Sequence, residues 1–314
     1  MKITLIIVSI ILLIVMLTIL AAYFCFRLAF YNPKPKVREE YPTPPGPIYD
    51  PFREQMISWI KESRAFPSED CSITSFDGLT LRGKYYEYAP GAPIELMLHG
   101  YRGESERDLS GGVQRCFALK RSALVVDQRS CGRSDGDTIT FGIKEHKDCL
   151  AWIDFMLERF GSDTKIILTG ISMGASTVLM AAACPLPPNV VGVLADCGFT
   201  SAPQIIKKIL RQIHLPVFPF YPLIKLGAKL FGKFDLEENS AHEAVQKITL
   251  PTIFFHGEAD SFVPCYMSKE NYDACNAPKY IMTVPGAGHG LSYPVAPERY
   301  LQALREFFEP VLYK

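Results

Sequence analysis

The stretch 168-LTGISMGA-175, Leu168 to Ala175, decides how the rest of the chain is read. It contains the pentad Gly170-Ile171-Ser172-Met173-Gly174, a G-x-S-x-G pattern short enough to arise by chance, so its meaning rests on its flanks. Upstream, 164-TKIILTG-170 is a continuous apolar run, the pattern of a strand buried on both faces. Downstream, 175-ASTVLMAAAC-184 is a strong helix former that stops before Pro185. Ser172 therefore falls where a strand turns sharply into a helix. Such a turn strains the serine backbone and exposes its hydroxyl. It also crowds the positions two residues away on either side, which accounts for glycine at 170 and 174. A plain tight turn is the competing reading, and the strand–helix context favours a nucleophile.

A serine hydroxyl attacks at neutral pH only with a base in hydrogen-bond reach, itself oriented by an acid. Four histidines follow Ser172: His214, His242, His256 and His289. His289 stands in 284-VPGAGHG-290, a glycine-rich loop after the run 279-KYIMTV-284 and before a terminal helix expected over Pro297 to Leu312. It is the expected base. His256 ends a strand and is expected to cap or pack there. For the acid, 254-FFHGEADSFVP-264 offers Glu258 and Asp260. Asp260 is the better placed, and Asp196, after 190-VVGVLAD-196, is a rival. The oxyanion needs two amide donors aimed at one point. Met173, at the helix start, supplies one, and the expected second is the amide of Tyr101 in 99-HGYRGES-105, where His99 reads as structural.

Further out, 71-CSITSF-76, Asp77-Gly78 and 79-LTLRGKYYEYA-89 read as a hairpin closed by a D-G turn. The run 94-IELMLHG-100 is a buried strand, and helices are expected over Ser105–Lys120 and Ile143–Phe160. Between Phe199 and Ser240 the alternation breaks into segments that look like lid helices. Phe218, Phe220, Tyr221, Leu223 and Phe231 there are expected either to roof an apolar site or to pack the lid onto the core. Lys207, Lys208 and Arg211 read as a solvated basic face.

The amino-terminal segment carries no charge from Ile3 to Phe26. At about 1.5 Å per residue it spans roughly 36 Å, enough to cross a bilayer core with tilt. An uncleaved single-pass anchor over residues 1–30 is expected, with a cleaved signal peptide as the alternative. Arg27, Lys34, Lys36 and Arg38 follow the span against Lys2 before it, so the charge bias leans toward a cytoplasmic domain at the cell membrane. Residues 31–68 read as a proline-rich spacer holding the domain, 69–314, away from the bilayer. The spacer ends in a short amphipathic helix carrying Phe52, Met56, Trp59 and Ile60. Nine scattered cysteines without a C-x-x-C fit buried reduced thiols, with pairing of the eight beyond Cys25 outside the cell as the alternative, and give no zinc cluster. The formal net charge is zero, which offers no electrostatic case for nucleic acid.

The motifs together resemble the α/β-hydrolase superfamily from about Ser72 to the C-terminus. They are H-G-x-x-G at His99–Gly103, D-x-R-x-x-G-x-S at Asp127–Ser134, G-x-x-E-x-x-D at Gly142–Asp148, the elbow at Ser172, H-G-x-x-D at His256–Asp260, and G-x-G-H ending at His289. More narrowly, the chain resembles bacterial membrane-anchored hydrolases of the prolyl-oligopeptidase and dienelactone-hydrolase-like branch. The resemblance implies a mostly parallel eight-stranded sheet flanked by helices, with an inserted lid at about 199–240. Asp127, Arg129, Glu145 and Asp148 then look like loop-fastening residues. The expected activity is that of a serine hydrolase needing no metal or cofactor and cleaving a small acyl ester or thioester through an acyl-enzyme, with Ser172, His289 and Asp260 as the triad. A small-peptide aminopeptidase of the same fold and a non-catalytic binding protein on this scaffold are the alternatives.

Overall fold

Strands form where apolar and β-branched residues run between turn signals, and here they assemble into one sheet. The computed structural model describes residues 2–34 and 39–313. Strands β1 (Glu69–Thr74) and β2 (Thr80–Tyr86) pair antiparallel, with Gly78 at φ +87° in the expected D-G turn. They are followed by β3 (Ile94–Leu98), β4 (Ser122–Asp127), β5 (Ile166–Ile171), β6 (Val190–Asp196), β7 (Thr252–Gly257) and β8 (Lys279–Val284). The order across the sheet is β1-β2-β4-β3-β5-β6-β7-β8, and every pairing from β4 to β8 is parallel. This is the expected eight-stranded, mostly parallel sheet.

Both faces of the central strands are buried. Along β5, Ile166 and Leu168 join the larger core, whereas Ile167 points to the opposite layer. The N-terminal helix α1 (Lys2–Ala29) and helix α2 (Arg53–Ala65) precede the sheet. Helix α3 (Ser105–Ala118) packs with α2 on one face of the sheet, and α4 (Glu145–Phe160) and α5 (Met173–Ala182) cover the other. Next come α6 (Ala202–Gln212), α7 (Val217–Gly227), a π turn over Ala228–Gly232, and α8 (Ala241–Val245). Helices α9 (Cys265–Ala274), α10 (Ser292–Val295) and α11 (Pro297–Leu312) complete the chain, α11 having the expected bounds.

One expectation needs correction. Helix α1 is long and apolar enough to cross a membrane, a property that signal sequences share, and its residues up to Leu20 are exposed. Its last turns, however, are seated on the domain rather than held away by the spacer. Ala22, Phe26 and Phe30 are buried, and Phe30 packs edge-on against Phe141 and Phe234 at 5.8 and 5.2 Å. Gly227 of α7 lies where a side chain would strike the backbone of Ala22, so α1 and α7 approach to backbone contact. Of the charges used for orientation, Lys36 and Arg38 lie outside the described residues.

Of the two alternatives for the aromatics of 199–240, the contacts favour packing. Phe218 is 80% exposed, and Tyr221 is buried with its hydroxyl donating to Glu237 at 2.6 Å. Phe231 meets Tyr23 and Phe26 of α1, so the inserted helices cradle α1, and their Ile205, Ile206 and Ile224 share a buried cluster with Met173 of the pentad. Nor is the basic face simply solvated: Lys208 donates to the carbonyls of Ser261 and Phe262.

Candidate active site

The parallel strands deliver their carboxyl ends to one edge of the sheet, and the chemistry-bearing loops leave from there. After β5 the chain reverses at Ser172, whose φ of +57° and ψ of −119° are strained for a residue with a side chain. A Cβ at Gly170 would collide with the Gly174 backbone, and one at Gly174 with Leu98. Only glycine permits this elbow. The turn is pinned by the Ser172 amide donating to the Asp196 carbonyl at 2.8 Å.

The loop after β8 brings His289 over the serine, with Nε2 2.8 Å from Ser172 Oγ. His289 Nδ1 lies 2.6 Å from Asp260 Oδ2, on the loop after β7. The other carboxylate oxygen of Asp260 accepts from the amides of Phe262 and Val263, both at 2.8 Å. Burial alone would raise the Asp260 carboxyl, but hydrogen bonds from His256 and His289 outweigh it and hold the group well below the usual carboxylate range. The rival Asp196 is engaged elsewhere, accepting from Ser292 Oγ at 3.1 Å and Tyr300 Oη at 3.0 Å. Glu258 accepts from Thr283 at the exposed surface.

The loop after β3 closes the site from the other side. A Cβ on Gly100 would lie 3.3 Å from Ser172 Cβ, so the backbone approaches the serine as closely as glycine allows. The Tyr101 amide and the Met173 amide at the start of α5 have no acceptor among the described residues. His99 is fully buried and has a lowered pKa because burial disfavours its charged form; its Nε2 accepts from the Gln128 amide at 3.0 Å, which fixes the loop. Around this loop, Asp127 accepts from the Ser105 and Arg133 amides, and Glu145 accepts from the Thr140 and Gly142 amides. Arg129 bridges Asp77 and Asp148.

A cavity of about 510 Å³ opens at Ser172 and His289. Its cover is the proline-rich segment Pro44–Tyr49, and its walls include Met56 and Trp59 of α2, Met97 of β3 and Gly111 and Gly112 of α3. No lining residue comes from 199–240. Among the described residues, Cys197, Asp260 and His289 alone form a His/Cys/Asp/Glu group compact enough to hold a metal. Burial raises the Cys197 thiol well above its ordinary value, so it is a neutral thiol and a poor ligand.

A family model described as "Alpha/beta hydrolase family" matches residues 96–303. The chain belongs to the α/β-hydrolase family. This α/β-hydrolase is 26% identical over 189 residues to an uncharacterized Bacillus subtilis protein, YqkD, covering 60% of this chain and 62% of the relative. It is 35% identical over 136 residues to the thiohydrolase apmlB of Arthrinium phaeospermum, covering 41% of this chain and 43% of the relative. The chain thus spans less than two thirds of either relative's length. The Pyrococcus furiosus esterase Pf2001 superposes with a TM-score of 0.68 at 20% identity, over 90% of this chain and 98% of that one, a likeness of fold.

Three features of this hydrolase escape sequence reasoning. His256 contacts Asp260, and its position four residues before that acid in H-G-x-x-D is the one signal that points to it. The cover from Pro44–Tyr49 lies far from the site in sequence, and its prolines read equally well as a linker. The links between the loop after β3 and α1 leave no sequence signal, because their acceptors are backbone carbonyls.

Proposed function

We propose that the protein is a membrane-anchored serine hydrolase that cleaves a carboxylic ester or thioester through an acyl-enzyme. Ser172 attacks the carbonyl carbon while His289 Nε2 takes its proton, and Asp260 orients the imidazole and stabilises its charged form. The Tyr101 and Met173 amides hold the developing oxyanion. His289 then returns the proton to the leaving group, and water attacks the acyl-serine by the same route. The observation that carries this reading is the unbroken row from Ser172 Oγ through His289 to Asp260, at 2.8 and 2.6 Å. The thiohydrolase and esterase among the similar proteins support the ester or thioester assignment. Anchoring rests on the apolar length of α1, and the cytoplasmic side on Arg27 and Lys34 after the span and on the nine free thiols.

The test is fluorophosphonate labelling of the full chain in detergent, wild type beside Ser172→Ala and His289→Ala, followed by turnover of an aryl ester, an acyl thioester and an amino-acyl anilide. Labelling confined to wild type with ester or thioester turnover supports the proposal. Anilide turnover alone would convert it to an aminopeptidase, and a folded wild type that takes no label would sink it.

A further inference from the structure

An α-helix leaves its last carbonyls without intrahelical partners, and a buried carbonyl must find a donor elsewhere. At the end of α1, the Phe26 carbonyl accepts from the Phe30 and Tyr31 amides at 2.9 and 3.2 Å. The next acceptors turn to the loop that faces Ser172. Ala29 O accepts from Tyr101 Oη at 2.8 Å, and Arg102 Nη2 donates to Leu28 O at 2.8 Å and to Tyr31 O at 3.2 Å. Beyond the helix, the Ile139 amide donates to Phe30 O and the Asn32 amide to Asp137 O, both at 2.8 Å. Helix α1 is thereby tied to the domain at the edge of the candidate site.

The backbone of that loop shows what the ties hold. Gly103 N donates to Gly100 O at 3.1 Å, closing a four-residue turn with Tyr101 and Arg102 at its centre. Arg102 has φ +53°, the left-handed region that favours glycine at this place in a turn. A residue with a side chain keeps such a conformation where its surroundings over-determine it. The guanidinium is fastened by its bond to Leu28 O in the last turn of α1, its bond to Tyr31 O just beyond the helix, and its place over the Tyr101 ring at 5.1 Å. On the opposite side of the turn, Gly100 abuts Ser172. Any relaxation of the turn therefore moves the Tyr101 amide relative to the serine.

We infer that Arg102 and the Tyr101 hydroxyl are positioning residues through which α1 sets the Tyr101 amide against Ser172, so that seating of the N-terminal helix regulates turnover. This rests on the reading of Ser172 as nucleophile and of the Tyr101 amide as an oxyanion donor. The helix then has two roles, because the same turns that leave the apolar span complete the site. Unseating α1 frees the loop without touching any group that reacts.

The experiment uses the full chain in detergent with an aryl ester, comparing wild type with Arg102→Gly, Arg102→Lys and Tyr101→Phe. Arg102→Gly keeps the left-handed turn free of strain and removes the tether together with the guanidinium over the Tyr101 ring, while Tyr101→Phe keeps the ring and the amide. In Arg102→Gly and Tyr101→Phe, kcat is expected to fall about tenfold with KM within about twofold, as for an interaction made chiefly in the transition state. Arg102→Lys is expected to recover part of the loss. Unchanged kcat in Arg102→Gly and Tyr101→Phe overturns the inference. So does a loss that vanishes once rates are divided by the folded fraction, read from thermal melts. A wild type that neither turns over ester nor takes fluorophosphonate would instead defeat the underlying hydrolase reading.

Discussion

His256 Nε2 lies 3.2 Å from the same Asp260 oxygen that meets His289 Nδ1 at 2.6 Å. That nitrogen is also 2.8 Å from the Val263 carbonyl, which can only accept, so Nε2 carries the proton. Nδ1 lies 2.6 Å from Ser268 Oγ. His256 is thus a fully buried ring that steadies Asp260 beside His289.

Replacing it by leucine would leave Val263 O, Ser268 Oγ and part of Asp260 short of partners. His256→Leu is expected to lose about 2–4 kcal/mol of stability, since each buried polar group left unpaired costs about 1–3 kcal/mol. It is also expected to lower kcat. Urea denaturation beside ester kinetics checks both, and a variant as stable as wild type would refute the role.

At Ser172 the strained backbone predicts opposite effects on stability and activity. A residue held in a sparsely populated region costs about 1–3 kcal/mol, and glycine tolerates φ +57° without it. Ser172→Gly should therefore melt higher than Ser172→Ala, while neither turns over ester. Equal melting temperatures would show that the elbow stores no strain.

Trp59 and Gly111 predict a coupled pair. An alanine Cβ at 111 would lie 2.6 Å from a carbon of the Trp59 ring, so Gly111→Ala should destabilise by about 1–3 kcal/mol through overpacking. In a Trp59→Leu background the same change should cost about 1 kcal/mol less. Strictly additive free energies from a double-mutant cycle would contradict the contact.

Because Tyr49 covers the cavity and Phe218 does not, the two aromatics should behave differently. Tyr49→Ala is expected to raise KM for an aryl ester by roughly fivefold or more with kcat little changed, as loss of uniform binding does. Phe218→Ala, at a side chain 80% exposed, should alter neither constant. The reverse pattern would restore the lid helices as the roof.

Two buried histidines should lower stability on acidification, while burial lifts the Asp148 carboxyl to about 6 and acts in the opposite sense over the same range. Burial lowers the pKa of both His99 and His146, so the folded state binds fewer protons than the unfolded chain below the ordinary histidine range. The stabilisation from their neutral forms is whole above about pH 6.5 and is lost as pH drops from there toward the folded values. Each group contributes a slope of at most about 1.4 kcal/mol per pH unit. Asp260, whose folded pKa is depressed, adds a second loss only below about pH 4. Urea midpoints from pH 7 to pH 5 measure the net effect, and a stability that does not fall would show that the histidines do not outweigh Asp148.

Local patterns made much of this legible from residues alone. The D-G hairpin, the apolar strands and the terminal helix are each set by neighbours in sequence, and the sheet follows from their alternation. The glycines at 170 and 174 announce the elbow because the collisions they avoid arise within a few residues and with the adjacent strand. Chain order names Ser172, Asp260 and His289, and the structure brings their atoms to hydrogen-bond distance. Of the three acid candidates after Ser172, Asp196 is set apart in a way that no spacing encodes, being turned to Ser292 and Tyr300.

The sequence by itself determined the order of elements, the elbow, the apolar span and the candidate groups, since each depends on propensity, periodicity or residue chemistry carried by a short segment. Tertiary structure alone decided which segment covers the cavity, where the inserted helices go and what caps α1. The aromatics of 199–240 suit either a roof or a cradle, and the buried face of α1 supplies the partner they meet. Likewise, an arginine in a glycine's place becomes intelligible only when the carbonyls of Leu28 and Tyr31, more than 70 residues away, are seen to hold it. Such contacts depend on backbone acceptors and long-range packing, which residue identity does not reveal.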